Sequence, residues 1–301
     1  MPELPEVETV RAGLEPVLRG RRFVRVEQSR KDLRFPLPER FAERLTGRRI
    51  SRLDRRAKYI LVHLDKGEVL AIHLGMTGRF SVQLPRSPSP RSRGEGTQLG
   101  DYTYEHGKDA RHDHLVFTMS GGAVVTYNDA RRFGYMTLIA AAEIEQDVFF
   151  RGLGVEPLSE ALNATYVARR ALGKKVDLKA FLMDQRIIAG LGNIYVYEAL
   201  FRAGLNPWKP APRLATRSGK PTPAAERLGS EIKAVLADAI RAGGSTLRDY
   251  KQANGDLGSF QKEFAVYGRE GEACARPGCR GTVRRKTQGG RSTFYCPACQ
   301  R

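Results

Sequence analysis

The sequence predicts an α+β fold, with a strand-rich first half, a helical second half and a cysteine-rich end. Three observations support this expectation. Short runs rich in Val, Ile, Leu and Tyr are separated by glycines in the first half. Helical spacing of apolar residues dominates the second half. All four cysteines lie within the last 28 residues. We therefore expect an antiparallel β-sandwich or barrel with flanking helices, then a separate helical domain and a small terminal hairpin.

The composition indicates a polyanionic partner. The 301 residues are enough for two or three domains, and 51 Lys plus Arg against 33 Asp plus Glu give a net charge of +18. Nucleic acid is the simplest partner that explains such an excess. An anionic membrane is the alternative, but no apolar run approaches the length of a span and no helix confines its basic residues to one face. We expect no membrane partner.

The amino end carries the most informative residues. Removal of Met1 would leave Pro2 as a free terminus beside Glu3. A terminal amine has a pKa of about 7.7–8.0, so roughly a tenth is unprotonated at pH 7. The proline amine is secondary, so its condensation with an aldehyde-level carbon gives an iminium, which acts as an electron sink. The alternative is that Pro2 has no chemical role and lies in a disordered terminus. Glu3, Glu6 and Glu8 exclude the basic start of a signal peptide, so we expect a cytoplasmic protein.

The first half contains one predicted helix and six predicted strands. Apolar residues at helical spacing predict a helix that stops at Gly20: Val7, Val10, Leu14, Val17 and Leu18. Apolar runs punctuated by glycine predict the strands: Phe23–Val26, Tyr59–Leu64, Val69–Leu74, His114–Met119, Ala123–Tyr127 and Tyr135–Ile139. The Pro-, Ser- and Arg-rich segment Pro85–Gly100 interrupts this pattern, and we interpret it as a disordered basic insertion.

The second half is predicted to be helical around a Pro-rich break, Pro207–Pro223. Four segments have helical periodicity: Ser159–Leu172, Leu178–Ile188, Ile194–Ala203 and Ala224–Ala242. Gly190 and Gly192 permit a tight turn, and Asn193 is a suitable N-cap for the following helix. The free N–H groups of that helix would suit a DNA phosphate. An ordinary corner between two helices is an equally good interpretation.

The cysteines predict a zinc site. Cys274 and Cys279 form one close pair and Cys296 and Cys299 another, with a hairpin-length segment between the pairs. Two such pairs suit tetrahedral thiolate coordination of one zinc ion per chain. Four thiolates leave no open position for a substrate, so we expect the zinc to be structural and to hold this short segment together. The two strands of the hairpin are predicted at Thr282–Arg285 and Ser292–Tyr295, on either side of a turn at 288–290.

Taken together, the sequence resembles the formamidopyrimidine-DNA glycosylase family, the bacterial 8-oxoguanine DNA glycosylases with lyase activity. The resemblance rests on the start PELPEVET and on motifs along nearly the whole chain: 55–59 RRAKY, 73–78 HLGMTG, 112–114 HDH, 129–134 DARRFG, 192–195 GNIY, 266–269 VYGR and 293–296 TFYC. It implies an N-terminal β-sandwich over 1–140 with the insertion at about 85–100. A helix-two-turn-helix domain over 141–257 and a zinc hairpin over 258–301 would follow.

The resemblance also implies an activity and its residues. The family excises oxidised purines, namely 8-oxoguanine and formamidopyrimidines, from double-stranded DNA in base excision repair, and then cleaves the strand by β,δ-elimination. By resemblance, Pro2 is the nucleophile that forms a Schiff base and Glu3 its acid/base partner. Lys58 lies near the reacting phosphates and base, and Arg291 grips the flanking phosphate. Glu6 would order the surrounding network.

Seven further residues match family contacts with DNA. Phosphate or DNA contacts are implied for four of them: His112, Lys174, Lys179 and Asn193. Insertion into the duplex is implied for the other three: Met76, Arg131 and Phe133. A thioether, a fork of donors for the orphaned cytosine and an aromatic wedge suit that task. Core packing is the alternative for Met76 and Phe133, and solvated charge is the alternative for the two lysines.

Some expectations are specific to this chain. The first cysteine pair has four intervening residues where the family usually has two, so we expect a distorted first knuckle. Ala130 replaces the usual proline before the two arginines, so that loop is expected to be less rigid. The segment Tyr250–Gln261 corresponds to the family loop that closes over the everted base.

Two functional alternatives stay open at this stage: a sister glycosylase for oxidised pyrimidines, and a non-catalytic DNA-binding protein on the same scaffold. We expect a monomer that acts in the bacterial cytoplasm at the nucleoid. The ranking of lesions, the opposite-base preference and the role of the insertion do not follow from the sequence.

Overall fold

The computed structural model describes residues 2–85, 109–245 and 258–301, and these form two compact units. The first unit contains Pro2, Glu6–Asp147 and Ser245, and the second contains Glu3–Pro5, Val148–Gly244 and Ser259–Arg301. The three-segment division with boundaries at 140/141 and 257/258 stays a prediction. The insertion at 86–100 and the segment 250–257 lie outside the described residues.

The first unit is built on two antiparallel four-stranded sheets and two helices. The helices are α1 (Leu4–Leu18) and α2 (Phe41–Leu45). The first sheet has the order β1 (Phe23–Gln28), β6 (Asp113–Met119), β7 (Val124–Asn128), β5 (Arg79–Gln83). The second has the order β2 (Ile50–Arg56), β3 (Tyr59–Leu64), β4 (Glu68–His73), β8 (Tyr135–Ala140).

One apolar core joins these elements. It contains Leu14 of α1, Phe23 and Phe117 of the first sheet, and Val62 and Ile72 of the second. Their burial explains why the strand-rich runs are so apolar, since removing apolar surface from water is the main favourable term in folding. The predicted sandwich is confirmed.

Strands β2 and β5 were not predicted from the sequence, because their side chains are mostly polar. In β2 only Ile50 and Leu53 are buried, and the other positions are polar or charged. In β5 only Phe80 and Val82 are buried. The pairing of Ile50–Arg56 with β3 therefore depends on long-range contacts that a run of apolar residues does not reveal.

The second unit is helical and ends in a β-hairpin. Its helices are α3 (Ala164–Ala171), α4 (Leu178–Met183), α5 (Asn193–Arg202) and α6 (Pro223–Arg241). Strands β9 (Arg284–Gln288) and β10 (Arg291–Tyr295) form the hairpin. Helix α5 is buried from Ile194 to Phe201, as expected of a helix at the centre of a core. None of the described helices is long and apolar enough to cross a membrane.

Two predicted helices are too long. The predicted helix 159–172 begins only at Ala164, because the side chain of Asn163 accepts a hydrogen bond from Tyr166 N at 2.9 Å and caps it. The predicted helix 178–188 ends at Met183. Beyond it, the N–H groups of Ile187 and Ile188 donate to the carbonyl of Asp184, so the chain turns.

Candidate active site and metal site

The amino end of the chain is part of the folded structure. Pro2 and Glu3 are buried and lie directly before α1. A carboxylate of 4% exposure needs a hydrogen-bond donor, and the carboxylate of Glu3 accepts from Ile194 N at 3.3 Å, in the first turn of α5. The positive end of the helix dipole favours a negative group at this place.

Gly192 makes this placement of Glu3 possible. A Cβ on Gly192 would lie 2.1 Å from Cδ of Glu3 and 2.3 and 2.4 Å from its two carboxylate oxygens. Only glycine therefore leaves room for the carboxylate against the backbone. The carboxylate of Glu3 thus lies at the start of α5, and the predicted contact of these N–H groups with a DNA phosphate stays a prediction.

Asn193 does not cap α5, so that expectation is wrong. Gly192 is the N-cap residue, and Asn193 is the first residue of the helix. The Asn193 side chain is half-buried, and its Oδ1 accepts a hydrogen bond from the hydroxyl of Tyr197 at 2.5 Å. Burial, together with the negative charge of Glu3, contributes to raising the pKa of Tyr197 to about 12, so its hydroxyl stays a donor at neutral pH.

Glu6 is also buried and has its own partner. Its Oε1 accepts hydrogen bonds from Ser245 N at 2.8 Å and from Ser245 Oγ at 2.9 Å. Two donors on one oxygen are the compensation that a buried carboxylate requires. Glu6 therefore fixes the chain at Ser245.

Lys58 occupies a tight turn beside a neutral histidine. Arg56 pairs with Tyr59 across β2 and β3, so Ala57 and Lys58 form the two-residue turn, with Ala57 at φ 53°. Lys58 is 9% exposed. Burial is the main cause that lowers the pKa of His73 to about 4, and the charge of Lys58 is the next. His73 is therefore neutral at pH 7, and its Nδ1 accepts a hydrogen bond from Gly75 N at 3.0 Å.

The three residues predicted to insert into the duplex lie on two adjacent loops of the first unit. We call Gly75–Gly78 and Ala130–Gly134 the insertion loops. Met76 is half-buried in the first loop, and Phe133 is 39% exposed in the second, so neither is a core residue. The guanidinium of the exposed Arg131 lies over the ring of Phe133, 4.6 Å from its centroid. The core-packing alternative is wrong for these residues.

His112 lies at the base of the second insertion loop. It is half-buried, and its carbonyl accepts a hydrogen bond from Asp129 N at 3.0 Å. Its backbone thereby fixes the start of the loop.

In the second unit, Lys174, Lys179 and Arg291 line one cavity of about 640 Å³. Lys174 and Arg291 are exposed, whereas Lys179 is 5% exposed. The ammonium of Lys179 donates to Gln288 O at 2.9 Å and to Thr293 Oγ1 at 2.8 Å, both on the hairpin. Solvated charge is therefore the wrong interpretation for Lys179. Burial, and secondarily the charge of Arg291, lowers its pKa.

The four cysteines form a potential metal site. Their Sγ atoms all lie within 4.8 Å of one another, with 3.7 Å between Cys274 and Cys299 and 3.8 Å between Cys279 and Cys296. Sulfurs at the corners of a tetrahedron around zinc, with bonds of about 2.3 Å, lie about 3.8 Å apart. The donor set therefore fits a zinc ion, and the wide spacing of the first pair does not keep its sulfurs from converging.

Two residues that hold the insertion loops, Thr77 and Asp129, were not predicted from the sequence. Asp129 is fully buried, and its carboxylate accepts from the hydroxyl of Thr77 at 2.5 Å. The available signal was an acid directly after an apolar strand, at the start of the motif 129–134 DARRFG, whose Arg131 and Phe133 were assigned to DNA.

Comparison with known proteins identifies related sequences over the whole chain. The family model described as the formamidopyrimidine-DNA glycosylase N-terminal domain matches residues 1–136, and the one described as the H2TH domain of the same enzymes matches residues 153–251. The formamidopyrimidine-DNA glycosylase of Chelativorans sp. strain BNC1 is 55% identical, over 100% of both chains. That of Methylobacterium nodulans is 56% identical, over 100% of this chain and 99% of the relative.

Solved structures that superpose on this chain are also Fpg proteins. The MutM (Fpg) protein of Thermus thermophilus superposes with a TM-score of 0.78 at 38% identity, covering 99% of this chain and 98% of that one. The Lactococcus lactis Fpg in complex with DNA containing an abasic site superposes with a TM-score of 0.80 at 30% identity, covering 100% of both chains.

The matches define a protein of the helix-two-turn-helix class with an N-terminal β-sandwich. More particularly, the chain belongs to the formamidopyrimidine-DNA glycosylase family.

Proposed function

We propose that the protein is a bifunctional DNA glycosylase and lyase that excises 8-oxoguanine and formamidopyrimidines from double-stranded DNA. The observation that carries the proposal is the burial of Pro2 and Glu3 in a chain of this family. The excess of basic residues supports DNA as the partner. Members of this family have been solved with lesion-containing DNA, including an abasic site.

The proposed reaction begins at the amine of Pro2. Its nitrogen forms a bond to C1′ of the damaged nucleotide as the glycosidic bond to the base breaks, and the base leaves with a proton. Glu3 supplies or accepts protons at the sugar, a contribution typically worth about 10²–10⁴-fold in rate. The sugar ring opens and the Pro2 nitrogen becomes an iminium.

The iminium then draws electrons away from the sugar. Loss of a proton from C2′ expels the 3′ phosphate, and a second elimination expels the 5′ phosphate, which leaves a one-nucleotide gap. Hydrolysis of the iminium restores the Pro2 amine. We assign Lys58 and Arg291 to the reacting and flanking phosphates, because cations there stabilise the charge that develops on the leaving groups.

The DNA contacts remain those of the sequence prediction. Lys174, His112 and Asn193 are assigned to phosphates, and Arg131 with Met76 and Phe133 to the space that the extruded base leaves. For Lys179 we propose a contact mediated by the hairpin, because its ammonium already bonds to Gln288 O and Thr293 Oγ1.

We assign one structural zinc ion to the four cysteines. When bound, zinc supplies a fixed centre for the hairpin that carries Arg291. The chain's own residues prepare the site: Arg276 N donates to Cys274 Sγ at 3.5 Å and Gly281 N to Cys279 Sγ at 3.4 Å, which stabilises thiolates. Thiolates persist in a reducing compartment, which supports a location in the cytoplasm, where we propose that the protein acts as a monomer at the nucleoid.

The test compares the protein with a chain extended by one alanine between Met1 and Pro2. The extension converts the Pro2 amine into an amide nitrogen and leaves the sequence from Pro2 onward unchanged, so it is a matched variant. On an 8-oxoguanine·cytosine duplex we expect the protein to release the base and leave phosphates on both sides of a gap. The extended chain should lose this activity by at least about 100-fold. Equal cleavage by the extended chain would contradict the proposal, and binding without cleavage by the protein itself would reduce it to a DNA-binding protein.

A further inference from the structure

A buried carboxylate joins the two insertion loops. Asp129 follows β7 and is 0% exposed. Its Oδ1 accepts from Thr77 Oγ1 of the first loop at 2.5 Å, and its Oδ2 accepts from Gly134 N of the second loop at 2.8 Å and from Tyr127 Oη at 3.2 Å. A single side chain thus satisfies donors from both loops.

The hydroxyl of Thr77 completes the connection. It donates its only proton to Asp129, so it can accept through a lone pair, and it does so from Arg131 N at 3.1 Å. The loop of Met76 is thereby bonded directly to the backbone that carries Arg131. An alcohol is required here, since neither a methyl group nor an amide could donate to Asp129 and accept from Arg131 N through the same atom.

The main chain of Asp129 is fixed as well. Its carbonyl accepts from Nε2 of the buried His114 at 2.9 Å and from Arg132 N at 3.2 Å. Arg132 has φ 54°, a left-handed conformation that costs energy for a residue with a side chain. The bond to Asp129 helps to hold this conformation between Arg131 and Phe133.

The two loops also meet backbone to backbone. Gly75 has φ 63°, and a Cβ there would lie 2.2 Å from the carbonyl carbon of Phe133. A Cβ on Gly134 would lie 1.9 Å from the hydroxyl of Tyr127. The first loop therefore packs closely against the backbone of the second, and the second packs closely against β7.

We propose that Asp129 and Thr77 are positioning residues that make the two insertion loops one rigid body, so that Met76, Arg131 and Phe133 enter the duplex together. Extrusion of a base costs unstacking energy, which inserted side chains must offset. Loops that are already ordered lose little conformational entropy on insertion, whereas independent loops would lose more. The inference rests on the proposed function.

The proposal predicts that base extrusion, and not sugar chemistry, depends on this network. The test uses Thr77→Val, which removes the hydroxyl at nearly constant volume, and Thr77→Ser, which retains it. Thr126→Val on β7 is the matched control for the same substitution at a half-buried position of the first sheet. Single-turnover rates are measured on an 8-oxoguanine·cytosine duplex and on a duplex with a preformed abasic site, which has no base to extrude.

We expect Thr77→Val to slow excision of 8-oxoguanine by about tenfold, the usual scale for losing a hydrogen bond to a charged group. Thr77→Ser and Thr126→Val should remain within about twofold of the unaltered protein. Cleavage at the abasic site should stay within about twofold for all three variants. Asp129→Asn should impair excision at least as strongly, because an amide cannot accept on both sides.

Unchanged excision by Thr77→Val would overturn the proposal. So would an equal loss on both substrates, because that result would place the effect in the chemistry or in general DNA affinity. An unaltered protein that cleaves neither substrate would instead contradict the proposed function, so the two failures are distinguishable.

Discussion

Arg131 and Arg291 are both exposed arginines, but the fold positions them by different means. Arg131 lies on an insertion loop whose backbone is bonded to Thr77 and Asp129. Arg291 begins β10 of a hairpin that depends on four cysteines and on Lys179. The first arrangement is stabilised by buried hydrogen bonds and the second by a potential metal site, so different perturbations should disable them.

The largest expected effect is on the hairpin and follows from removal of the proposed zinc ion. Native mass spectrometry should find one zinc ion per chain, and a chelator should disorder the hairpin, because structural zinc contributes about 10–16 kcal/mol of apparent binding free energy in small domains. Cleavage of an 8-oxoguanine duplex should fall by more than about 100-fold. Histidine resonances of the first unit should be unchanged. A metal-free protein with full activity would contradict this prediction.

The substitution Gly75→Ala is expected to impair the insertion loops and to leave the hairpin intact. The new methyl group would meet the backbone of Phe133 at 2.2 Å, and φ 63° is unfavourable for alanine. We expect a loss of about 2–5 kcal/mol in the free energy of unfolding, from about 1–2 kcal/mol of backbone strain and about 1–3 kcal/mol of overpacking. Excision should decrease while the zinc content stays at one. Denaturant unfolding and zinc analysis measure the two effects.

Gly229→Ala is the matched control for that substitution. Gly229 lies within α6, and a Cβ there would meet nothing within 4 Å. Alanine should therefore raise the free energy of unfolding by about 0.5–1 kcal/mol, because glycine is costly inside a helix. If the two variants lost stability equally, the close approach of the insertion loops would not be the cause.

A further expected effect is a pH dependence of the insertion loops. Burial lowers the pKa of His73 from 6.5 to about 4 in the folded protein. The neutral His73 side chain therefore makes its full contribution to the free energy of unfolding above about pH 6.5. This contribution, about 3 kcal/mol, is lost as the pH falls towards about 4. His73→Asn keeps an acceptor for Gly75 N but does not titrate, so its stability should decrease less between pH 7 and pH 4. Imidazole NMR that gave His73 an ordinary pKa would refute this expectation.

The sequence was sufficient for features that depend on local pattern. The apolar run Tyr59–Leu64 is a strand with the predicted bounds, and the cysteines converge as their spacing predicts. The sequence was insufficient where distant residues meet. The contact between Glu3 and Ile194 joins positions 191 residues apart, and no local signal shows that Gly192 leaves room for a carboxylate. Lys179 likewise resembles a surface lysine until the hairpin is placed beside it.

The most direct test of the account is to identify the atom that attacks the sugar. Borohydride is added while the protein acts on an 8-oxoguanine·cytosine duplex, and the trapped adduct is digested and sequenced by mass spectrometry. The account predicts a deoxyribose fragment attached to the nitrogen of Pro2, with Met1 removed. An adduct on Lys58 or on any other side chain, or an active protein that retains Met1, would contradict it.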